Sequence, residues 1–144
     1  MITAITAIVA FLFAGRAKFT LVSTATGTRY TYQVTKARGN KTTAPWFVSV
    51  LTGSDNEHDY SYMGCIFPDK PHTLRHTAKS RVTAEAPSAK AFAWYLAKLA
   101  EASEQAHRVE FWHAGECGRC GRELTDPNSI ESGLGPVCAG KVAA

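Results

Sequence analysis

The hydrophobic pattern changes period several times along the chain. Residues 2–14 are an almost unbroken apolar run, broken only by Thr3 and Thr6, that ends at Gly15-Arg16. At about 13 residues the run is shorter than the roughly 20 needed to span a bilayer, which predicts a buried N-terminal helix. Its basic residues follow the run, whereas a secretory signal places them before it. From residue 18 the period drops to two. Residues 18–23, a turn ending at Gly27 and residues 28–35 read as a hairpin, with Tyr30, Tyr32 and Val34 on one face and Arg29, Thr31, Gln33 and Thr35 on the other. Residues 46–51 and 60–67 supply two more strands across an acidic turn, and residues 72–82 are expected to hold a further one.

A helical period returns at residues 89–105, where Ala91, Trp94, Tyr95, Leu96, Leu99 and Ala102 recur at the required spacing behind Ser88 as the expected cap. Residues 108–113 return to strand. The expected class is α+β: an antiparallel β-sheet with an N-terminal helix and one long helix. Residues 1–110 form that domain and residues 111–144 a small module after it.

The module carries the most specific chemistry. In His113-Ala-Gly-Glu-Cys117-Gly-Arg-Cys120-Gly121, two cysteines on a glycine-rich turn can hold one metal ion between them. Cys138, in Gly135-Pro136-Val137-Cys138, and His113 complete a tetrahedral set suited to zinc. Cys65 competes with His113 for the fourth place, although it stands in an apolar run where cysteine acts as a small hydrophobe. A disulfide would need an oxidising compartment, and a thioredoxin-like pair would need a βαβ setting; neither context is present. Asp126-Pro127 reads as a cap and first turn of a short helix, and Gly135-Pro136 as the start of a last helix with Cys138 in its first turn. The whole describes a C-terminal treble-clef-like zinc module.

The run Cys117-Gly-Arg-Cys-Gly-Arg-Glu-Leu-Thr-Asp-Pro-Asn-Ser-Ile-Glu-Ser-Gly-Leu-Gly-Pro-Val-Cys138 resembles a zinc-module family of unassigned function found in bacteriophage and mobile-element proteins. Residues 11–23, 48–56 and 86–94 look like segments that often precede this module. The resemblance implies zinc ligation by Cys117, Cys120 and Cys138, with His113 at a position where such proteins often carry histidine. It brings no established activity.

Charge then moves attention away from the metal. The chain of 144 residues carries a net charge of +4 at pH 7. Its first 54 residues hold Arg16, Lys18, Arg29, Lys36, Arg38 and Lys41 and no acid, whereas the module sets Arg119, Arg122 and Lys141 against Glu116, Glu123, Asp126 and Glu131. A finger gripping phosphates would carry excess cations, so this zinc is expected to be structural. Finger peptides gain roughly 10–16 kcal/mol on binding zinc, ample to hold a module without its own core. A nucleic-acid surface would lie on the hairpin side instead. There Tyr30, Tyr32 and Trp46 would stack bases while Arg29, Lys36, Arg38, Lys41, Lys70, Arg75, Lys79 and Arg81 meet the backbone. Against this, alternation places Tyr30 and Tyr32 opposite Arg29, as core residues would be.

Catalysis finds less support. Asp55, Glu57, His58 and Asp59 crowd one loop that could hold Mg²⁺ or Mn²⁺ for a nuclease, but such a turn is usually just solvated. No phosphate-binding glycine loop and no triad can be read, and four protein ligands leave a zinc no open position for water. The sequence thus points to a cytosolic, zinc-stabilised binding protein without enzymatic activity or membrane attachment. Its expected partner is nucleic acid or a complex that handles it. The alternative is a counter-defence protein docking on a host protein.

Overall fold

The computed structural model describes residues 1–38, 43–55, 58–124 and 132–135. After helix α1 (Ile5–Leu12) come strands β1 (Arg16–Ser23), β2 (Arg29–Lys36), β3 (Trp46–Leu51) and β4 (Tyr60–Ile66), then helix α2 (Pro87–Ala100), a 3₁₀ turn (Glu104–Arg108) and strand β5 (Val109–His113). The strands form one antiparallel sheet in the order β4-β3-β2-β1-β5. The fold is α+β, with both helices contributing to the core on one face of the sheet. Among the described residues no helix is long and apolar enough to cross a membrane.

Alternation decides which face is covered. The register Ala17↔Val34, Phe19↔Tyr32 and Leu21↔Tyr30 aligns the apolar set of β1 with that of β2, and Phe111 joins opposite Leu21. Phe19, Tyr32, Phe92 and Phe111 are all at most 1% exposed. Phe19 stacks on Phe111 at 4.6 Å between ring centroids, while Tyr32 lies 5.0 Å from Phe92 of α2. Burying such side chains contributes roughly 1.5–3 kcal/mol each, enough to fix the register, because a slip of one residue would expose the whole set.

The ends of α2 differ from the expected ones. The helix starts at Pro87, whose missing amide costs nothing in the first turn, with Ala86 as its cap residue. Ser88 lies inside the helix, where its carbonyl accepts a 2.7 Å hydrogen bond from the Tyr32 hydroxyl. At the other end the chain leaves the helix after Ala100. Ala102 takes a left-handed φ of 48°, and the Ser103 amide reaches back to the Lys98 carbonyl. Ser103 then caps the 3₁₀ turn by accepting from the Gln105 amide.

Residues 72–82 do not form the expected strand. They are tied to the edge of β4 at isolated points: Cys65 and Arg75 exchange backbone bonds of 2.9 and 2.8 Å, and the Arg81 amide donates to the Tyr62 carbonyl. Gly64 makes this approach possible, since a Cβ there would collide with the Arg75 carbonyl.

The expected boundary at residue 110 falls within β5. Beyond that strand the chain stays against the main core, with Cys117, Leu124 and Leu134 buried in the same cluster as the sheet and helices. The Arg16 amide donates to the Gly118 carbonyl at 2.6 Å, and the Gly118 amide donates to Gly133 at 2.8 Å.

Candidate functional site

The cysteine turn is built by backbone geometry. Gly115, with a φ of 83°, turns the chain out of β5, and a bridge between Glu116 and Glu123 closes a narrow loop. Inside it the Cys117 amide donates to the Arg122 carbonyl at 2.8 Å, and the Gly121 amide donates to the Cys117 carbonyl at 2.9 Å. Gly121 has a φ of 79°, which a side chain would resist. Folded this way, the loop aims amides at sulfur. Cys117 Sγ accepts from Arg119 at 3.4 Å and from Gly135 at 3.3 Å. Burial alone would push the Cys117 thiol up. The amides of Gly135, Cys120 and Arg119, aided by the Cys120 side chain, outweigh it and bring the thiol down to about 7. Donors converging on sulfur favour the thiolate, the form that ligates metal.

The other expected ligands are placed unequally. Cys120 is half-buried on the same loop. His113 ends β5 with its ring 5.9 Å from that of Phe11, and its Nδ1 accepts from the Gly115 amide at 2.9 Å. Cys65 is buried in β4, at the opposite edge of the sheet from the strand leading into the knuckle. Cys138, and the helix expected around it, lie outside the described residues, as does the helical turn expected after Asp126. Among the described residues no three His, Cys, Asp or Glu side chains are gathered as a metal set. Gly135, whose amide reaches Cys117, stands three residues before Cys138.

The expected base-stacking aromatics point into the protein. Tyr32 is fully buried, and Tyr30 is half-buried against the core. Trp46 packs on Phe13 at 4.9 Å and donates its Nε1 hydrogen to the Phe13 carbonyl at 3.3 Å, while Lys36 Nζ sits 3.7 Å above its ring. That ammonium also donates to the Ala44 carbonyl at 2.6 Å, so Lys36 is a packing residue.

The uncovered face of the sheet displays a different set. Trp112 and Phe47 are 44% and 42% exposed, the consequence of standing next to Phe111 and Val48, which face the core. Phe47 meets Tyr62 edge to face at 6.1 Å. Between these aromatics run Lys18, Thr20, Thr31, Gln33 and Ser49, with the Thr20 and Thr31 hydroxyls 2.7 Å apart. Lys18 is 3.9 Å from Glu116 at the knuckle margin. Burial, and then the charge of Glu116, raise the Tyr60 hydroxyl above its ordinary range.

The expected basic residues divide into groups. Arg75 and Arg81 are exposed and pinned along β4 beside Phe47 and Tyr62; Lys79 is exposed on the same segment, and Arg75 lies 5.1 Å from the Phe67 ring. Arg29 is exposed on the open face at the start of β2, whereas Lys36 ends that strand on the covered face. At about 3.4 Å per residue the two are some 24 Å apart. Arg38 is exposed beyond the end of β2, and Lys41 lies outside the described residues. In the acidic loop, His58 Nδ1 lies 2.9 Å from an Asp55 carboxylate oxygen, and Asp59 accepts from the Asp55 amide at 2.8 Å. Those side chains serve the turn itself.

Phe47, Tyr62 and Trp112 were not marked by sequence reasoning, although adjacent aromatics such as Phe111-Trp112 carry a signal: in a strand they cannot both face inward. Residues 110–143 match a family of unknown function (DUF6011). No curated protein and no solved structure matches the chain.

Proposed function

We propose that this chain is a non-catalytic, zinc-stabilised binding protein of a bacteriophage or mobile element, acting in the cytosol on single-stranded nucleic acid. The observation that carries the reading is the uncovered sheet face, where Trp112 and Phe47 are exposed, Tyr62 lies half-buried beside Phe47, and Arg75, Lys79 and Arg81 border it along β4. Bases stack on exposed aromatic rings with roughly 1–3 kcal/mol each, and neighbouring cations neutralise phosphates. A broad sheet does not enter a duplex groove as a helix or two-stranded ribbon does, which favours an unpaired strand.

Zinc in this reading is a clasp held by Cys117, Cys120, Cys138 and His113. The amides converging on Cys117 support it, as does the Gly135 contact: three residues of chain span about 10 Å at most, which limits how far Cys138 can stand from the knuckle. A closed Cys₃His site offers stability and leaves no position for a reacting water.

Exposed aromatics also anchor protein interfaces, and Glu110 and Glu116 sit on the same side of the sheet. They favour, as the second reading, docking on a host defence protein through this face. Anisotropy with labelled single-stranded DNA, single-stranded RNA and duplex DNA, at about 50 mM and about 200 mM salt, separates the two. The nucleic-acid reading expects single strands to bind more tightly than duplex, a steep loss with salt, and at least about tenfold weaker binding for the Phe47→Ala, Trp112→Ala double variant. Absence of binding at low salt, or unchanged binding by the double variant, overturns it.

A further inference from the structure

A concavity lies on the helix-covered side, away from the open face. Where the β1–β2 hairpin extends past α2, a cavity of about 330 Å³ opens between Leu21, Tyr30 and Val109 of the sheet and Ala91 and Trp94 of the helix. It exists because residue 91 is small. Ala91 and Trp94 are three apart on one helix face, and a branched side chain at 91 would reach the sheet and close the gap. The volume is at the lower end of ligand pockets, about 300–1,000 Å³, so an occupant would have one or two rings.

The lining also limits the occupant's charge. Among the described residues Arg108 is the one charged residue on the wall. Its backbone is held in place, because its carbonyl accepts from the Thr24 amide at 3.0 Å and the Thr24 hydroxyl at 2.9 Å. None of the ion pairs among the described residues involves it. Two hydroxyls on the same wall are engaged locally: Ser23 Oγ accepts from the Thr26 amide, and Thr28 Oγ1 accepts from Thr26. An aromatic, apolar cavity lined at one side by the exposed residue Arg108 fits a flat hydrophobic body ending in one anionic group that the guanidinium can meet.

We propose that this cavity binds a small aromatic anion, with its ring between Trp94 and Tyr30 and its carboxylate or other acidic group on Arg108. The probe is anilinonaphthalene sulfonate, followed by its fluorescence enhancement on the folded full chain, with the uncharged phenylnaphthylamine as comparison. Saturable one-to-one binding is expected. Ala91→Leu, which fills the cavity, and Trp94→Ala, which removes a half-exposed wall, should each weaken the sulfonate by at least about tenfold, with circular dichroism reporting whether each variant is folded. Arg108→Gln should weaken the sulfonate by about tenfold and leave the uncharged probe unchanged. Trp112→Ala on the open face should leave both unchanged. No binding of the sulfonate, equal effects of Arg108→Gln on both probes, or loss of binding in Trp112→Ala rather than in the folded cavity variants overturns the proposal.

Discussion

The amide of Arg16, the first residue of β1, donates to the carbonyl of Gly118 at 2.6 Å, and the Arg16 guanidinium reaches the Cys120 carbonyl at 3.3 Å. The strand and the cysteine turn are therefore hydrogen-bonded neighbours. A ligand that binds the native state alone stabilises it by mass action, about 3–4 kcal/mol when present at a hundred to a thousand times its dissociation constant. If zinc fastens the turn, chelation should lower the thermal midpoint of the whole sheet, and Cys117→Ser should do the same. Elemental analysis should give about one zinc per chain, lost in that variant. A midpoint unmoved by chelator would count against the clasp.

Two buried tyrosines give opposite expectations for the same substitution. The Tyr32 hydroxyl donates to the Ser88 carbonyl, joining β2 to the first turn of α2, whereas the Tyr95 hydroxyl is buried with no hydrogen-bond partner among the described residues. Tyr32→Phe removes a satisfied bond and leaves a carbonyl behind, so it should cost about 1 kcal/mol. Tyr95→Phe removes an unsatisfied group from the core and should be neutral or stabilising by up to about 1 kcal/mol. Urea unfolding of both variants decides the matter, and a larger loss for Tyr95→Phe would show that its hydroxyl is satisfied after all.

How far the sequence revealed this arrangement depended on which force was in control. Period-two alternation is a burial signal, and it placed β1, β2 and the inward set of Tyr30, Tyr32 and Val34 well, because one face of the sheet is dry. It also held the objection to base stacking by Tyr30 and Tyr32. In Trp46-Phe47-Val48 three apolar residues in a row hide the alternation, and the ring that faces out, Phe47, went unmarked. The end of α2 was illegible for another reason. Ala102 is a good helix former, yet it takes a left-handed φ because the next turn, capped by Ser103, and β5 must fold back onto the sheet. The cysteine spacing stood out because two cysteines on one glycine-rich turn make a pattern that is local in the chain. That Cys65 belongs to the far edge depends on strand order, which no local pattern encodes.

Gly118 is expected to be intolerant of any side chain. A Cβ there would lie 2.6 Å from the Phe11 ring and 3.2 Å from the Phe11 carbonyl, so either the knuckle or α1 must shift. Phe11 is fully buried and packs edge-on against Phe111 at 5.6 Å, which leaves the ring little freedom. Gly118→Ala should cost about 1–3 kcal/mol, the usual range for overpacking. Gly27, whose added Cβ would meet nothing, should cost less on replacement by Ala and only through its φ of 73°. Thermal melts of the pair compare the two costs, and equal losses would mean that Phe11 yields.

The basic residues should separate into those that hold the fold and those that bind. Lys36 Nζ lies over the Trp46 ring and donates to the Ala44 carbonyl, and both contacts are lost in Lys36→Gln. A cation over an aromatic ring contributes about 0.5–2 kcal/mol, so this variant should lose about 1–2 kcal/mol of stability. Its ammonium is on the covered face, so single-strand affinity should hardly change once the protein is folded. Arg75 and Arg81 present the converse. They are exposed beside Phe47 and Tyr62, and their anchoring to β4 is through backbone atoms that a side-chain change leaves alone. Arg75→Gln with Arg81→Gln should therefore change the stability by no more than about 0.5 kcal/mol per site. It should also reduce the slope of log affinity against log salt by about 0.7 for each phosphate contact removed. An unchanged slope in that double variant, together with a slope reduced in Lys36→Gln, would place the strand on the covered side of the sheet and remove the open face from consideration.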